Sequence, residues 1–118
     1  MKKNIYIIHS TKINYKQDIY EPLINSSLNN NFEFIYPHLT DKFIKSKEII
    51  RNCDIVLAFM KNNSIGMGIE LGWADAFDKR IVFLNDSDEV SMSVSSIVKE
   101  RIYRYNKKDI AAILDKIL

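Results

Sequence analysis

Asp54-Ile55-Val56-Leu57-Ala58-Phe59 is a short apolar run. Beyond a polar turn it gives way to Asn63-Ser64-Ile65-Gly66-Met67-Gly68-Ile69-Glu70-Leu71-Gly72-Trp73-Ala74, in which Ile69, Trp73, Ala76 and Phe77 recur at helical spacing. The first part reads as a strand and the second as a helix. The strand is nearly continuous in apolarity rather than alternating, which marks a strand covered on both faces and so a parallel sheet. Residues 4 to 8, 32 to 36 and 80 to 84 are further strands, the first and last of these also nearly continuous in apolarity, with a fifth around Arg101 to Arg104. Helical spacing links Ile19, Leu23, Ile24 and Leu28, then Phe43, Ile44, Ile49 and Ile50, and finally Ile110, Ile113, Leu114 and Ile117. Pro22 begins or kinks the first of these helices, and Asn29-Asn30-Asn31 ends it. Thr40 is the expected N-cap of the second helix, and Asn106 or Lys107 opens the last. The stretch Ser87 to Ser96 reads as a helix or a loop. Strand and helix alternate throughout, without repeat or linker. The predicted fold is a flavodoxin-like, doubly wound α/β domain over residues 1–118, its five parallel strands in the order 2-1-3-4-5.

Composition narrows the function. The chain has 118 residues, 47% of them hydrophobic and 27% charged, with a formal net charge of +2. That balance lacks the basic stripe that nucleic acid requires, so no nucleic-acid partner is expected. The apolar run Ile5-Tyr6-Ile7-Ile8 ends at His9-Ser10, too short for a signal peptide or a membrane span, and a cytoplasmic protein is expected. One cysteine, Cys53, and two histidines give no metal-ligand spacing, so neither metal nor cofactor is expected and Cys53 reads as buried filler.

The chain has three glycines, Gly66, Gly68 and Gly72, and all fall around Glu70. Glycine lets backbone approach a ligand closely, and the amides of a helix N-terminus hold phosphate or sugar hydroxyls. With its helix starting near Met67 or Gly68, Glu70 lies in the first turn, where the helix field favours an ionised carboxylate able to act as a nucleophile. The competing reading is structural, with Gly66 and Gly72 serving close helix–sheet packing. In a doubly wound sheet the ligand lies beyond the carboxyl ends of the strands, at the switch in strand order. That crest gathers His9, Ser10, Thr11, Tyr36 to His38, Lys61 to Glu70 and Asn85 to Ser87. Asp54, at a strand start, falls on the wrong side. His38 reads as a solvated loop residue, and Trp73 as core or subunit contact.

Ser64-x-Gly66-x-Gly68-x-Glu70-Leu71-Gly72-x-Ala74, with the strand before it and Ala76-Phe77-x-Lys79-Arg80-Ile81 after it, resembles the nucleoside 2-deoxyribosyltransferase family. The pattern is nearest to its branch of 2'-deoxynucleoside 5'-monophosphate N-glycosidases, and the match covers about residues 50 to 84. The resemblance implies cleavage of an N-glycosidic bond through a covalent glycosyl intermediate on Glu70, with hydrolysis preferred over base exchange. It implies substrate contacts from Ser64, Gly66, Gly68, Tyr6 and Ser10, and a homodimer or higher homo-oligomer that completes its sites across subunits. A serine from Ser91 to Ser96 would reach a neighbour's phosphate.

Two departures stand out. Where the family supplies a second carboxylate, this chain has Ser46 and Phe59; where it has a glycine before Ser10, this chain has His9. The acid that protonates the leaving base is therefore open, with Asp86 or Asp88 of a neighbouring subunit, or His9, as substitutes. His9 and Asp86 accordingly join the candidate substrate-binding residues. The alternatives are a TIR-like enzyme that cleaves NAD with Glu70, and a catalytically silent nucleotide-binding or sensing module.

Overall fold

A computed structural model describes residues 2–40, 42, 44–86 and 92–118. Strands β1 (Lys3–Ile8), β2 (Phe32–Ile35), β3 (Ile55–Phe59), β4 (Arg80–Asn85) and β5 (Ile102–Arg104) form one parallel sheet in the order β2-β1-β3-β4-β5. This is the flavodoxin-like arrangement read from the sequence. The α-helices are α1 (Glu21–Ile24), α2 (Ser46–Asn52), α3 (Ile65–Ala76), α4 (Met92–Ser95) and α5 (Ile110–Ile117).

The sheet separates two apolar layers. Ile5 and Ile7 of β1 pack with Leu57 and Phe59 of β3 against Ile19, Leu23, Ile110 and Leu114, which belong to α1, its approach and α5. The intervening residues Tyr6 and Ile8 of β1, with Val56 and Ala58 of β3, pack against Ile50 of α2 and Met67, Leu71 and Ala74 of α3. Successive strand residues point to opposite faces, so burial on both sides explains the unbroken apolarity of β1 and β3. The same alternation turns Tyr6 toward α3.

Several boundaries differ from the sequence reading. The first helix ends at Ile24, and Leu28 lies in a separate 3-10 turn, Ser27–Asn30. The Asn29 side-chain amide donates to the carbonyls of Leu23 (2.7 Å), Ile24 (3.0 Å) and Ser26 (2.9 Å), satisfying helix-end acceptors that another turn would otherwise take. A π-helical turn, Lys16–Tyr20, leads into α1, with Pro22 at the opening of the α-helix, where a missing N–H is tolerated. Thr40 does not cap α2. Its hydroxyl instead accepts from the Lys42 amide (3.3 Å) in a local turn, and α2 starts at Ser46. Asn106 and Lys107 likewise stand before α5, whose N-cap is Asp109. Phe43, Asp88 and Ser91 lie outside the described residues. Among the described residues no helix is long and apolar enough to cross a membrane.

Candidate active site

Tyr6 in β1, Ser46 at the start of α2 and Glu70 in α3 converge on one hydrogen-bonded cluster. The Tyr6 hydroxyl donates to Glu70 Oε2, and Ser46 Oγ lies 3.2 Å from the same phenol oxygen. Burial and the neighbouring carboxylate raise the Tyr6 pKa, so the phenol keeps its proton and remains a donor. Ser64 holds the far end of the cluster by capping α3, its Oγ accepting from the Met67 amide at 3.3 Å.

That cap corrects the expected position of Glu70. Helix α3 begins at Ile65, so Glu70 lies in its second turn, beyond the reach of most of the terminal field. Its ionisation follows a different balance from the one read in the sequence. Burial raises the Glu70 pKa; hydrogen bonds from Tyr6 and Ser46 and the nearby His38 charge pull it partway back. A half-buried carboxylate held by two hydroxyls is an oriented group with little water around it.

The glycines do not serve internal packing. A Cβ at Gly68 or Gly72 would meet nothing within 4 Å, and at Gly66 it would meet Ser64 Oγ at 4.0 Å. All three are exposed and none has a positive φ. The close helix–sheet packing read for Gly66 and Gly72 is therefore corrected.

His9 is 4% exposed rather than open to the crest. Its Nδ1 lies 3.0 Å from the Ser10 carbonyl and its Nε2 2.5 Å from the Tyr20 hydroxyl. Burial pushes its pKa down to about 4, so the ring is neutral at pH 7. One tautomer fits: Nδ1–H donates to Ser10 and Nε2 accepts from Tyr20. The Tyr20 hydroxyl in turn accepts from the His38 backbone N–H at 3.0 Å. The buried Ser10 turns its hydroxyl to the Lys12 amide (3.1 Å).

A cleft of about 460 Å³ opens beside this cluster, lined by Tyr15, Pro37, His38, Lys42, Ile44 and Ser46. Ser46 joins the cleft to Tyr6 and Glu70. The His38 ring lies edge-on to His9, with ring centroids 5.3 Å apart, and Tyr15 stacks on His9 at 4.5 Å. Sequence reading set His38 on the crest but took it for a solvated loop residue, and it missed Tyr15. The available signal for Tyr15 was its position in the segment that follows β1, at the same crest.

Other candidates fall elsewhere. Asp86 pairs with Lys61 at 3.1 Å and lines a second cleft of about 540 Å³ with Ile13, Arg104 and Tyr105. Asp54 accepts from the Asn4 amide at 2.8 Å, at the amino end of the sheet as expected. Cys53 is buried, and its thiol donates to the Ile50 carbonyl. Phe59 is fully buried on the face of the sheet opposite Tyr6, its ring meeting Tyr105 edge-on at 5.4 Å. Among the described residues no group of three or more His, Cys, Asp or Glu is placed to hold a metal ion.

No protein-family model and no curated protein matches the sequence. Solved structures do match. The CMP N-glycosidase BcmB of Clostridium botulinum superposes with a TM-score of 0.76 at 24% identity, over 98% of this chain and 100% of that one. A 2-deoxyribosyltransferase from Leishmania mexicana superposes with a TM-score of 0.68 at 14% identity, over 98% of this chain and 99% of that one. The chain shares its fold with these two enzymes over nearly its whole length.

Proposed function

We propose that residues 1–118 form one domain of the nucleoside 2-deoxyribosyltransferase family, and that it breaks the N-glycosidic bond of a nucleoside or nucleotide. The observation that carries this reading is the Glu70 carboxylate, half-buried, gripped by Tyr6 and connected through Ser46 to a cleft at the carboxyl end of the sheet. The structural neighbours that share the fold, a CMP N-glycosidase and a deoxyribosyltransferase, support the same chemistry. Glu70 attacks C1' of the sugar as the base departs, giving a glycosyl ester that water resolves. Tyr6 orients that carboxylate, its O–H donating to Glu70 Oε2.

Release of free base from deoxynucleosides, their 5'-monophosphates, ribonucleotides and NAD tests the proposal. Base release by wild type and not by Glu70→Ala supports it, and the winning substrate names the branch. NAD as sole substrate would favour TIR-like chemistry. Tight nucleotide binding without turnover would replace the enzyme by a sensing module.

A homo-oligomer is part of the same proposal. The outer side of α3 presents Ile65, 86% exposed, and Ile69, 50% exposed, together with Gly68 and Gly72, whose missing side chains would meet nothing within the chain. A bare, apolar helix face of this kind suits close approach of a second copy. Ile69→Arg is expected to convert the assembly to monomer in sedimentation equilibrium. At an exposed position it should change stability by no more than about 0.5 kcal/mol. A wild type already monomeric at high concentration would refute the assembly.

A further inference from the structure

A departing base needs a proton, and the positions expected to supply a second carboxylate do not. Ser46 is a hydroxyl already engaged with Tyr6, and Phe59 is buried on the far face of the sheet. His9 is excluded as donor because its Nε2 already accepts from Tyr20. Within the chain, Asp86 is paired with Lys61 in the other cleft. The cleft that Ser46 joins to the Tyr6–Glu70 cluster is nevertheless lined by one imidazole, that of His38.

We infer, on the basis of the proposed glycosidic cleavage, that His38 is its general acid, set on the loop between β2 and α2 and positioned there by Tyr20 and His9. The loop is pinned through its backbone, with His38 N–H donating to Tyr20 Oη (3.0 Å) and Tyr20 O–H donating to His9 Nε2. The ring itself is left free to face the cleft it shares with Ser46. Its neighbours are His9 edge-on at 5.3 Å and Tyr15 at 5.8 Å, with Lys42 on the cleft wall and the Glu70 carboxylate within electrostatic reach. Lys42 carries its charge on a long flexible stem and fits an anionic group better than a directed proton transfer.

Two departures of this chain are thereby joined. Glycine at position 9 could not accept from Tyr20, so the imidazole of His9 helps place the loop that carries the substitute acid.

The step balances. As Glu70 bonds to C1', the C1'–N bond breaks, its electron pair stays with the base, and the base takes the proton of the His38 imidazolium. Neutral His38 then removes a proton from the water that attacks C1', the bond to Glu70 breaks, and the carboxylate is regenerated. One water is consumed.

The test varies the leaving group. Rates of base release are measured for cytidine and deoxycytidine 5'-monophosphates beside their 5-fluoro analogues, and for deoxyguanosine 5'-monophosphate beside its 7-methyl analogue. The 7-methyl compound departs without needing a proton. Wild type, His38→Ala, His38→Gln and Glu70→Ala are compared, with folding checked by circular dichroism. His38→Ala and His38→Gln are expected to lose roughly 10²- to 10³-fold in kcat on the ordinary bases, in the range general acids contribute. On the 7-methyl substrate the loss should be less than about fivefold, and on the 5-fluoro substrates intermediate. Equal losses on all substrates, or none, would overturn the acid role while Glu70 dependence left the parent reading intact. Activity that survives Glu70→Ala, or a wild type inert toward the whole panel, would instead overturn the parent reading and the acid role with it. His38 variants also remove the only side chain of the pinned loop that this mechanism uses, whereas Tyr20→Phe leaves the imidazole and loosens only its placement. A smaller loss that still grows on poorer leaving groups is expected for Tyr20→Phe.

Discussion

Glu70→Ala should lower base release by roughly 10⁴-fold or more, the scale on which loss of a nucleophile acts when it cannot be replaced. The fold should survive. Glu70→Gln is the sharper variant, because an amide oxygen still accepts from Tyr6 and Ser46. The Glu70 pKa is raised in the fold, chiefly by burial, so the unfolded chain holds its carboxylate more comfortably. By linkage, the penalty is absent below the unfolded carboxyl pKa and grows as pH rises through the folded one. Glu70→Gln removes that penalty, and its melting temperature at pH 7 should equal or exceed that of wild type while turnover disappears. The same raised pKa places the acid limb of the wild-type kcat/KM profile above the ordinary carboxylate range, because the nucleophile must be ionised. An inactive Glu70→Gln protein that is also markedly less stable would mean that Glu70 is a structural anchor.

Phe59→Ala carries the largest expected loss of stability, about 3–5 kcal/mol. The side chain is fully buried between β1 and β4, in the layer filled by α1 and α5, and meets Tyr105 edge-on. A loss of that size is a large share of the total stability of a domain, typically 5–15 kcal/mol. Urea unfolding followed by far-UV circular dichroism measures it; a change below about 1 kcal/mol would mean that the site collapses around the deletion. Since Phe59 points away from Glu70, a carboxylate placed there would be buried on the wrong face. Restoring a second acid to this chain therefore calls for a position near Ser46.

Much of this was legible in sequence because the signals were local. The apolar runs of β1 and β3 and the turn between β3 and α3 fix the parallel sheet and bring the Glu70 segment to its carboxyl edge. Tyr6 was named through the family resemblance, and strand alternation explains why it faces α3. What was not legible depends on contacts between segments far apart in the chain. Ser46 meets Tyr6 across 40 positions and His38 is tied to Tyr20 across 18, so no spacing rule connects them. The start of α3 was misplaced because Ile65-Gly66 looks like a loop, whereas the Ser64 hydroxyl caps the helix two residues before the expected start. Glu70 ionisation was misjudged because burial, which sequence does not show, outweighs a helix field that fades within a turn.

The neutral, enclosed imidazole of His9 leaves this chain with an unusually clean spectrum. It has two histidines, and one is withdrawn from the pH range in which imidazoles usually change charge. In a proton NMR titration between pH 5 and 8, the ring C–H resonances of His9 should therefore hold their positions while the fold is intact, and their movement would report that the enclosure formed by Tyr20 and Ser10 has opened.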